Sequence, residues 1–527
     1  MKAPTFFVFA LLGVLTCSAT KVVVYNPFFM HSHFSFMLRL TNLLAEDGHN
    51  VTMIIPEIPE GTKVALSPKA RLVIRSTIKQ DTTVSGEVDQ HSMWNMGYEA
   101  WDSRAVWHGW IEDLEAHCER LLTDKAFIKE MLTEKFEFGL IEAADYCGYG
   151  FFMQINVTKY VNQNPMALSE KVALALGLPG NIHDHYPASL GHHPSLTFFE
   201  RLSNFIGPIV RNKLHNAELD GFSAHVVRKH VDPNFHAFDA IANGRYLFIN
   251  TEEHMDFPRP ISHKVVYIGG ITVSNDTVAP LPEDYADIFD TAKQGVVYIS
   301  FGTLAQSKAM PPSVRNSFLA MFAAFPEINF LWKYENPDDT IASDLPNVFK
   351  RKWVPQKEVL THPKLLAFIT HGGMNSVIEG AYAGVPMIGI PMFCDQRRNV
   401  KMLQFRKSLI VIEKTDITPD NLIDSLNALI STDVYSRRAK EIATIAKSKP
   451  FGATERFLAY FRHAVAFSNS TDYLDIRQRK HDVITYYNLD VYGFVTFVIA
   501  IALFLVFMLI SFICKALLSH KNDKKNV

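Results

Sequence analysis

The sequence predicts an α/β protein of two doubly wound, Rossmann-like domains followed by one C-terminal transmembrane helix, and three observations carry this. Apolar runs bounded by turn residues alternate with helical periodicity over residues 21–56 and again over 295–391, the pattern of βαβ units in parallel sheets. At 527 residues the chain exceeds one ordinary core, which sets an expectation of two domains of roughly 200 to 250 residues each. Residues 491–514 run for 24 positions without a charge, enough to cross a bilayer as a helix.

The ends of the chain fix its topology. Residues 1–19 combine Lys2, an apolar stretch over 6–15 and the small residues Ser18 and Ala19, and read as a signal peptide. Beyond the apolar stretch come Lys515, Lys521, Lys524 and Lys525, so the positive-inside rule places the tail, 515–527, in the cytosol and the body in the lumen. The closing Lys524-Lys525-Asn526-Val527 is similar to the dilysine tag that returns membrane proteins to the endoplasmic reticulum. A formal charge of −2 gives no basic face for nucleic acid. Of five cysteines, Cys17 lies in the signal peptide and Cys514 at the membrane edge; Cys118, Cys147 and Cys394 remain, an odd number without metal-like spacing, so at most one disulfide forms. Asn50, Asn156, Asn275 and Asn469 each have Thr two positions on and are candidate glycosylation sites.

The mature chain opens with a buried strand from Lys21, a loop holding His31-Ser32-His33, a helix over about 35–46 ended by Asp47-Gly48, and a second strand over 51–56. That loop has no phosphate-type glycine array, so a different ligand is expected at this edge. A histidine at a strand end is suited to take a proton from a hydroxyl, which makes His33 the leading candidate base and His31 the fallback; a zinc pair lacks an evident third ligand. Trp94, Trp101, Trp107 and Trp110, four of the six tryptophans, gather with Met93 and Met96 and read either as core or as walls for an apolar ligand. A strand over 138–141 places Glu142 and Asp145 at its carboxyl end. Residues 160–245 read as mostly helical with Pro/His-rich loops, where His183, His185, His192 and His193 fall. A linker follows at 280–282.

The second domain opens with a buried strand over 295–300 running into Ser300, Gly302 and Thr303, whose hydroxyls and amides suit a diphosphate. Another strand covers the apolar run from Phe330. The densest stretch is 365–399: a buried strand, the glycine turn His371-Gly372-Gly373, Asn375 or Ser376 as helix cap, Gly384 as helix end, a strand over 387–391, then Asp395 and Gln396. The helix N-terminus favours an anion, and Gly372 and Gly373 let one come close. Glu379, three residues beyond Ser376, shares its helix face and suits the paired hydroxyls of a ribose, while Asp395 and Gln396 can bond a sugar.

This stretch resembles, almost residue for residue, the nucleotide-sugar signature of the UDP-glucuronosyltransferase family, membrane-bound enzymes of the endoplasmic reticulum. The resemblance is dense over 295–405, clear in patches at both ends and sparse over 60–135. It implies the GT-B arrangement, two domains facing a cleft: 20–275 binding the acceptor, 285–450 binding the UDP-sugar, and 451–490 as helices leading to the span at 491–514. It implies transfer of glucuronate or glucose from UDP, with inversion, to hydroxyl groups of small lipophilic acceptors, as in detoxification, by a single-pass protein able to form homo-oligomers. His33 matches the catalytic histidine. Glu142 occupies the position where the family has an aspartate, with Asp145 three residues on, and both are candidates to hold His33. Trp353 offers an indole face to uracil and Gln356 reads its edge; Ser300, Thr303, His371, Gly373, Asn375, Ser376, Glu379, Asp395 and Gln396 complete the donor site. The UDP-sugar is a co-substrate and no cofactor is implied; with no Asp-x-Asp anywhere in the chain, metal-free catalysis is expected. Members that use glucuronate share an arginine before an Asn-Ser pair; here Ile249 precedes Asn250-Thr251, which leans toward UDP-glucose, with Arg245, Arg259 and Arg397 as substitutes. The competing class is a lumenal protein that binds UDP-sugar or lipophile without turnover, disfavoured by His33 together with a carboxylate at 142.

Overall fold

The structure, a computed structural model, describes residues 19–28, 30–78, 90–95, 100–178, 197–199, 201–202, 223–273, 279–469, 473–480, 483–486 and 488–523. Residues 1–18 of the expected signal peptide, Asn275, the histidines at 183–193, Met96, Lys524 and Lys525 lie outside the described residues, as do the side chains of Trp101, Trp107 and Trp110.

Among the described residues the strands form two parallel sheets. The first contains β1 (Lys21–Tyr25), β2 (Asn50–Pro59), β3 (Arg71–Ile78), β4 (Phe138–Glu142), β5 (Tyr160–Asn164), β6 (Leu247–Ile249) and β7 (Val265–Tyr267). Its order is β3-β2-β1-β4-β5-β6-β7. The second contains β8 (Gly295–Ser300), β9 (Ile328–Lys333), β10 (Val348–Arg351), β11 (Leu365–Thr370), β12 (Met387–Gly389) and β13 (Leu409–Val411), in the order β10-β9-β8-β11-β12-β13. Both sheets are therefore doubly wound, with the direction of winding reversing between β1 and β4 and between β8 and β11. At such a reversal the loops leaving the two strands diverge and open a crevice at the carboxyl edge. His33 and Glu142 follow β1 and β4, whereas Ser300 and His371 follow β8 and β11.

Strands buried on both faces need apolar cover from two layers. One face of the first sheet is covered by a late segment: Phe457, Phe461 and Ala464 of the helix Ala453–Ala466 join Val22, Val24, Phe138 and Leu140 in one buried cluster. Each fully buried phenylalanine contributes roughly 1.5–3 kcal/mol relative to exposure, so this return of the chain ties the two halves together. Polar pairs reinforce the tie. Arg456 Nη1 donates to Glu253 Oε1 at 2.7 Å, the Tyr382 hydroxyl donates to Glu252 Oε2 at 3.0 Å, and Arg398 pairs with Asp256.

Several elements differ from the sequence reading. The first helix spans His31–Glu46, so His31 and His33 occupy its first turn rather than a loop; Met30 is its cap, without a side-chain capping bond. Residues 160–245 include β5, whose Asn162, Gln163 and Asn164 disguise a buried strand. Their polarity is absorbed by specific partners: Tyr149 donates to Asn162 Oδ1 at 2.8 Å, and Asn164 Nδ2 donates to the Ala167 carbonyl at 3.0 Å. Trp94 and Met93 are buried, and neither lines the cleft described below. The Trp94 indole instead donates to the Gln306 carbonyl at 2.9 Å and packs edge-on against Phe301, which anchors it to the second domain.

One helix, Leu489–Asp523, contains a stretch long and apolar enough to cross a membrane, Leu489–Leu518, with mean hydropathy 3.1 and no burial against the rest of the protein. Cys118 and Cys147 are disulfide-bonded, joining the helix Ala100–Leu122 to the helix Tyr146–Gln154; Cys394 is a free thiol.

Candidate active site

At the carboxyl edge of the first sheet, His33 Nδ1 lies 2.7 Å from Glu142 Oε1, and both groups are buried. The second carboxylate oxygen accepts from Gln163 Nε2 at 3.3 Å, so β4 and β5 together hold the acid. Burial opposes charge on the imidazole. The Glu142 carboxylate, through its charge and its hydrogen bond, outweighs this with help from Asp395, and the pKa of His33 is raised. With Nδ1 committed to Glu142, Nε2 is the nitrogen suited to accept a proton. Asp145 does not share this contact: it is the N-cap of the helix Tyr146–Gln154, accepting from Cys147 N at 3.0 Å. Burial and the neighbouring Glu142 charge push its carboxyl up to about 7.

The opposite edge is built around the helix Met374–Ala383. Gly373 is its N-cap and makes no side-chain bond, so Asn375 and Ser376 lie within the first turn instead of capping it, and Gly384 ends the helix at φ 73°. The first-turn N–H groups, without a side-chain cap, point to where an anion would sit. The glycines flanking this turn serve His371. A Cβ on Gly302 would come within 2.8 Å of the imidazole Cε1, and one on Gly373 within 2.6 Å of Nε2. Burial, aided by Lys333, pushes His371 down to about 4, so it offers a hydrogen bond and no charge at neutral pH. Ser300 and Thr303 line the same wall.

Further along the helix, Gln356 Nε2 donates to Glu379 Oε2 at 2.7 Å and to Ser376 Oγ at 3.2 Å, while its carbonyl oxygen accepts from Tyr298 at 3.1 Å. Burial raises the Glu379 pKa against the effect of that bond. Trp353 is 62% exposed, its indole open to a planar ring, and the His31 ring of the first domain meets it edge-on at 6.4 Å. Gln396 Oε1 is used internally, accepting from Met392 N at 2.8 Å and Phe393 N at 3.1 Å, which shapes the loop before Asp395. Asp395 accepts from Asn399 Nδ2 at 2.8 Å; burial raises its pKa while the His33 charge lowers it.

The two edges face one another across a cleft of about 770 Å³, lined by His33, Glu142 and Asp145 from the first domain and by all eleven candidate donor-site residues from the second. Two further groups carry no motif, Lys333 in the cleft lining and Asn250 buried outside it. Lys333, closing β9, donates to the Gly302 carbonyl at 2.8 Å and to Glu335 at 2.9 Å. Its only sequence signal is a cation at the end of an apolar strand. Asn250, just after β6, donates to Asn375 Oδ1 at 2.7 Å across the domain boundary.

Two doubly wound parallel sheets whose winding reversals meet at one cleft are the GT-B architecture. Solved structures of that class share the fold: the glycosyltransferase of kitacinnamycin (TM-score 0.55, 17% identity, covering 84% of this chain and 98% of that one) and Phytolacca americana UGT2 complexed with UDP-2fluoro-glucose and pterostilbene (TM-score 0.52, 16% identity, 85% and 99%). The family described as "UDP-glucoronosyl and UDP-glucosyl transferase" matches residues 21–525, and the chain belongs to it. Relatives include ugt-50 of Caenorhabditis elegans, which carries a provisional UDP-glucuronosyltransferase name, 28% identical with 91% of this chain and 92% of that one covered. UDP-glucosyltransferase 2 of Dactylopius coccus is 26% identical, with 97% and 96% covered.

Proposed function

We propose that the chain transfers a hexosyl group from a UDP-sugar to a hydroxyl of a small lipophilic acceptor, with His33 as general base and inversion at the anomeric carbon. The observation that supports this most is the pairing of His33 with Glu142 on one wall of the cleft while Asp395, on the other wall, lies close enough to bias its charge. The acceptor oxygen attacks the anomeric carbon from the face opposite UDP. As the new C–O bond forms, its proton passes to His33, the bond from carbon to the diphosphate oxygen breaks, and UDP leaves with the electron pair. Glu142 fixes the imidazole tautomer and stabilises its protonated form. The first turn of the helix Met374–Ala383, with Ser376 and His371, bonds the departing diphosphate. Trp353 and Gln356 take the uracil and Glu379 the ribose.

The donor reading favours glucose over glucuronate. A buried carboxylate requires a cation. Ile249 is buried within β6, Arg259 Nη1 donates to the Leu168 carbonyl at 2.7 Å, Arg397 to Glu413 at 3.3 Å, and Arg245 to the Ser468 carbonyl. None of these arginines lines the cleft; of the lysines that do, Lys333 is already paired with Glu335 and Lys357 is exposed. The body is assigned to the lumen of the endoplasmic reticulum, anchored by the apolar helix after residue 488, and catalysis is metal-independent. Microsomes expressing the chain, offered labelled UDP-glucose and UDP-glucuronate at equal concentration with a panel of phenols, test both readings. Glucosylated product that survives a chelator is expected; mainly glucuronidated product would reverse the donor preference, and UDP binding without any product would point to a binding protein.

A further inference from the structure

The cleft contains a second histidine built like His33. His117, on the helix Ala100–Leu122, has Nδ1 3.0 Å from Glu57 Oε2 of β2. Arg120 grips the same carboxylate through Nε at 2.8 Å and Nη2 at 2.7 Å. Burial opposes the Glu57 charge, but hydrogen bonds from Arg120 and His117 overcome this and hold its pKa at about 2. An ionised carboxylate only accepts, so His117 Nδ1 carries the proton and, in the uncharged ring, Nε2 bears a lone pair. That Nε2 is buried and has no hydrogen-bond partner among the described residues. The ring lines the cleft with Leu114 and Ser223, all contributed by the first domain. A buried acceptor left unpaired is costly, and native proteins rarely leave one without a ligand or water to fill it.

We propose that His117 is a polar anchor for the acceptor, and that the acceptor class is therefore a lipophile with two hydrogen-bond donors: the hydroxyl that is glycosylated at His33 and a second hydroxyl or N–H that donates to His117 Nε2. This rests on the transferase reading above for the identity of the cleft, but not on turnover for its test. The remaining lining here is largely apolar, so a distal donor meeting one fixed acceptor orients an otherwise featureless ligand and selects which hydroxyl reaches His33.

The test uses the full-length protein in detergent micelles and a series of bisphenols of increasing spacer length, each paired with its monomethyl ether. Binding is measured by calorimetry in the absence of donor. For the best-fitting spacer the bisphenol should bind roughly tenfold more tightly than its ether. His117→Phe, which keeps an aromatic ring and removes both nitrogens, should erase that preference while the ether binds as before. If that variant fails to fold, His117→Asn keeps a donor for Glu57 but is too short to present an acceptor to the cleft, and should behave alike. A preference that survives either substitution, or a wild-type protein that shows none at any spacer length, overturns the proposal. Absence of turnover with every donor would count against the transferase reading alone, because the anchor is read from binding.

Discussion

Asn250 Nδ2 donates to Asn375 Oδ1 at 2.7 Å and to the Pro165 carbonyl at 3.1 Å, one side chain of the first domain holding the opening turn of the second domain's donor helix. The bond is part-buried and crosses the domain boundary, so it helps to fix the spacing of the two walls at the start of the donor helix. Asn250→Ala removes both bonds and leaves their acceptors unpaired. The expected cost is about 1–3 kcal/mol of stability, together with a severalfold rise in donor KM and little change in acceptor KM. Steady-state kinetics with each substrate varied in turn check this, and equal effects on both KM values would reduce Asn250 to a structural role.

Glu142→Gln should move the pH profile as well as the rate. A base works when deprotonated, so transfer should rise with pH through the His33 pKa, which Glu142 and Asp395 hold above its ordinary value. Removing the carboxylate lowers that pKa and shifts the rising limb to more acid pH, while kcat falls by about a hundredfold or more because the protonated imidazole loses its partner. The stability effect has a definite sign. A folded-state pKa raised above the unfolded value of about 6.5 adds stability that is complete below that pH and fades as pH rises through the folded value. An unmoved limb in the variant would show that Glu142 does not tune the base.

Much of this arrangement could be read from the chain, and what could not has physical reasons. The strip from Leu365 to Gln396 was legible because a parallel strand buried on both faces is nearly all apolar, and a helix that receives an anion needs small residues at its start. Gly384 announced the helix end, which the structure reaches in a left-handed conformation. β5 was hidden because Asn162, Gln163 and Asn164 look like loop residues until Tyr149, Glu142 and the Ala167 carbonyl are brought beside them. The extent of the first helix was missed because His31-Ser32-His33 has no apolar period and Met30 is not a capping residue. His117, Asn250 and Lys333 are single polar residues whose meaning comes from partners far away in sequence, which no local pattern encodes.

The segment just before the long apolar helix is part of the folded body. Lys264 Nζ pairs with Asp475, Arg479 Nη1 bonds Asp239 Oδ1 at 2.6 Å, and Ile476 packs on the first domain's core. Truncation after Asp482 should yield a soluble body with nearly full thermal stability. Truncation after Ser468 strips the carboxylate partner from the buried Lys264, leaving it only the Ala242 carbonyl, and should lower the melting temperature by several degrees or cause aggregation. Equal melting curves for the two forms would show the strap to be ornamental.

The disulfide gives a prediction on stability with a smaller one on activity. Cys118 and Cys147 are separated by 29 positions, and closing a loop of that size is worth roughly 3–4 kcal/mol through the unfolded chain. Cys118→Ser should lower the melting temperature accordingly. Cys147 also supplies the N–H that Asp145 caps, so loosening this corner should affect the acceptor side of the cleft first, seen as a rise in acceptor KM with donor KM unchanged.

In the proposed reaction His33 removes the acceptor proton while the other wall holds UDP. The most direct measurement sets single-turnover transfer to a phenolic acceptor beside calorimetric binding of UDP, for the native protein and for His33→Ala. Loss of transfer by about two to four orders of magnitude, with UDP affinity unchanged, is the predicted result. Transfer at a native rate by a folded His33→Ala protein would contradict it.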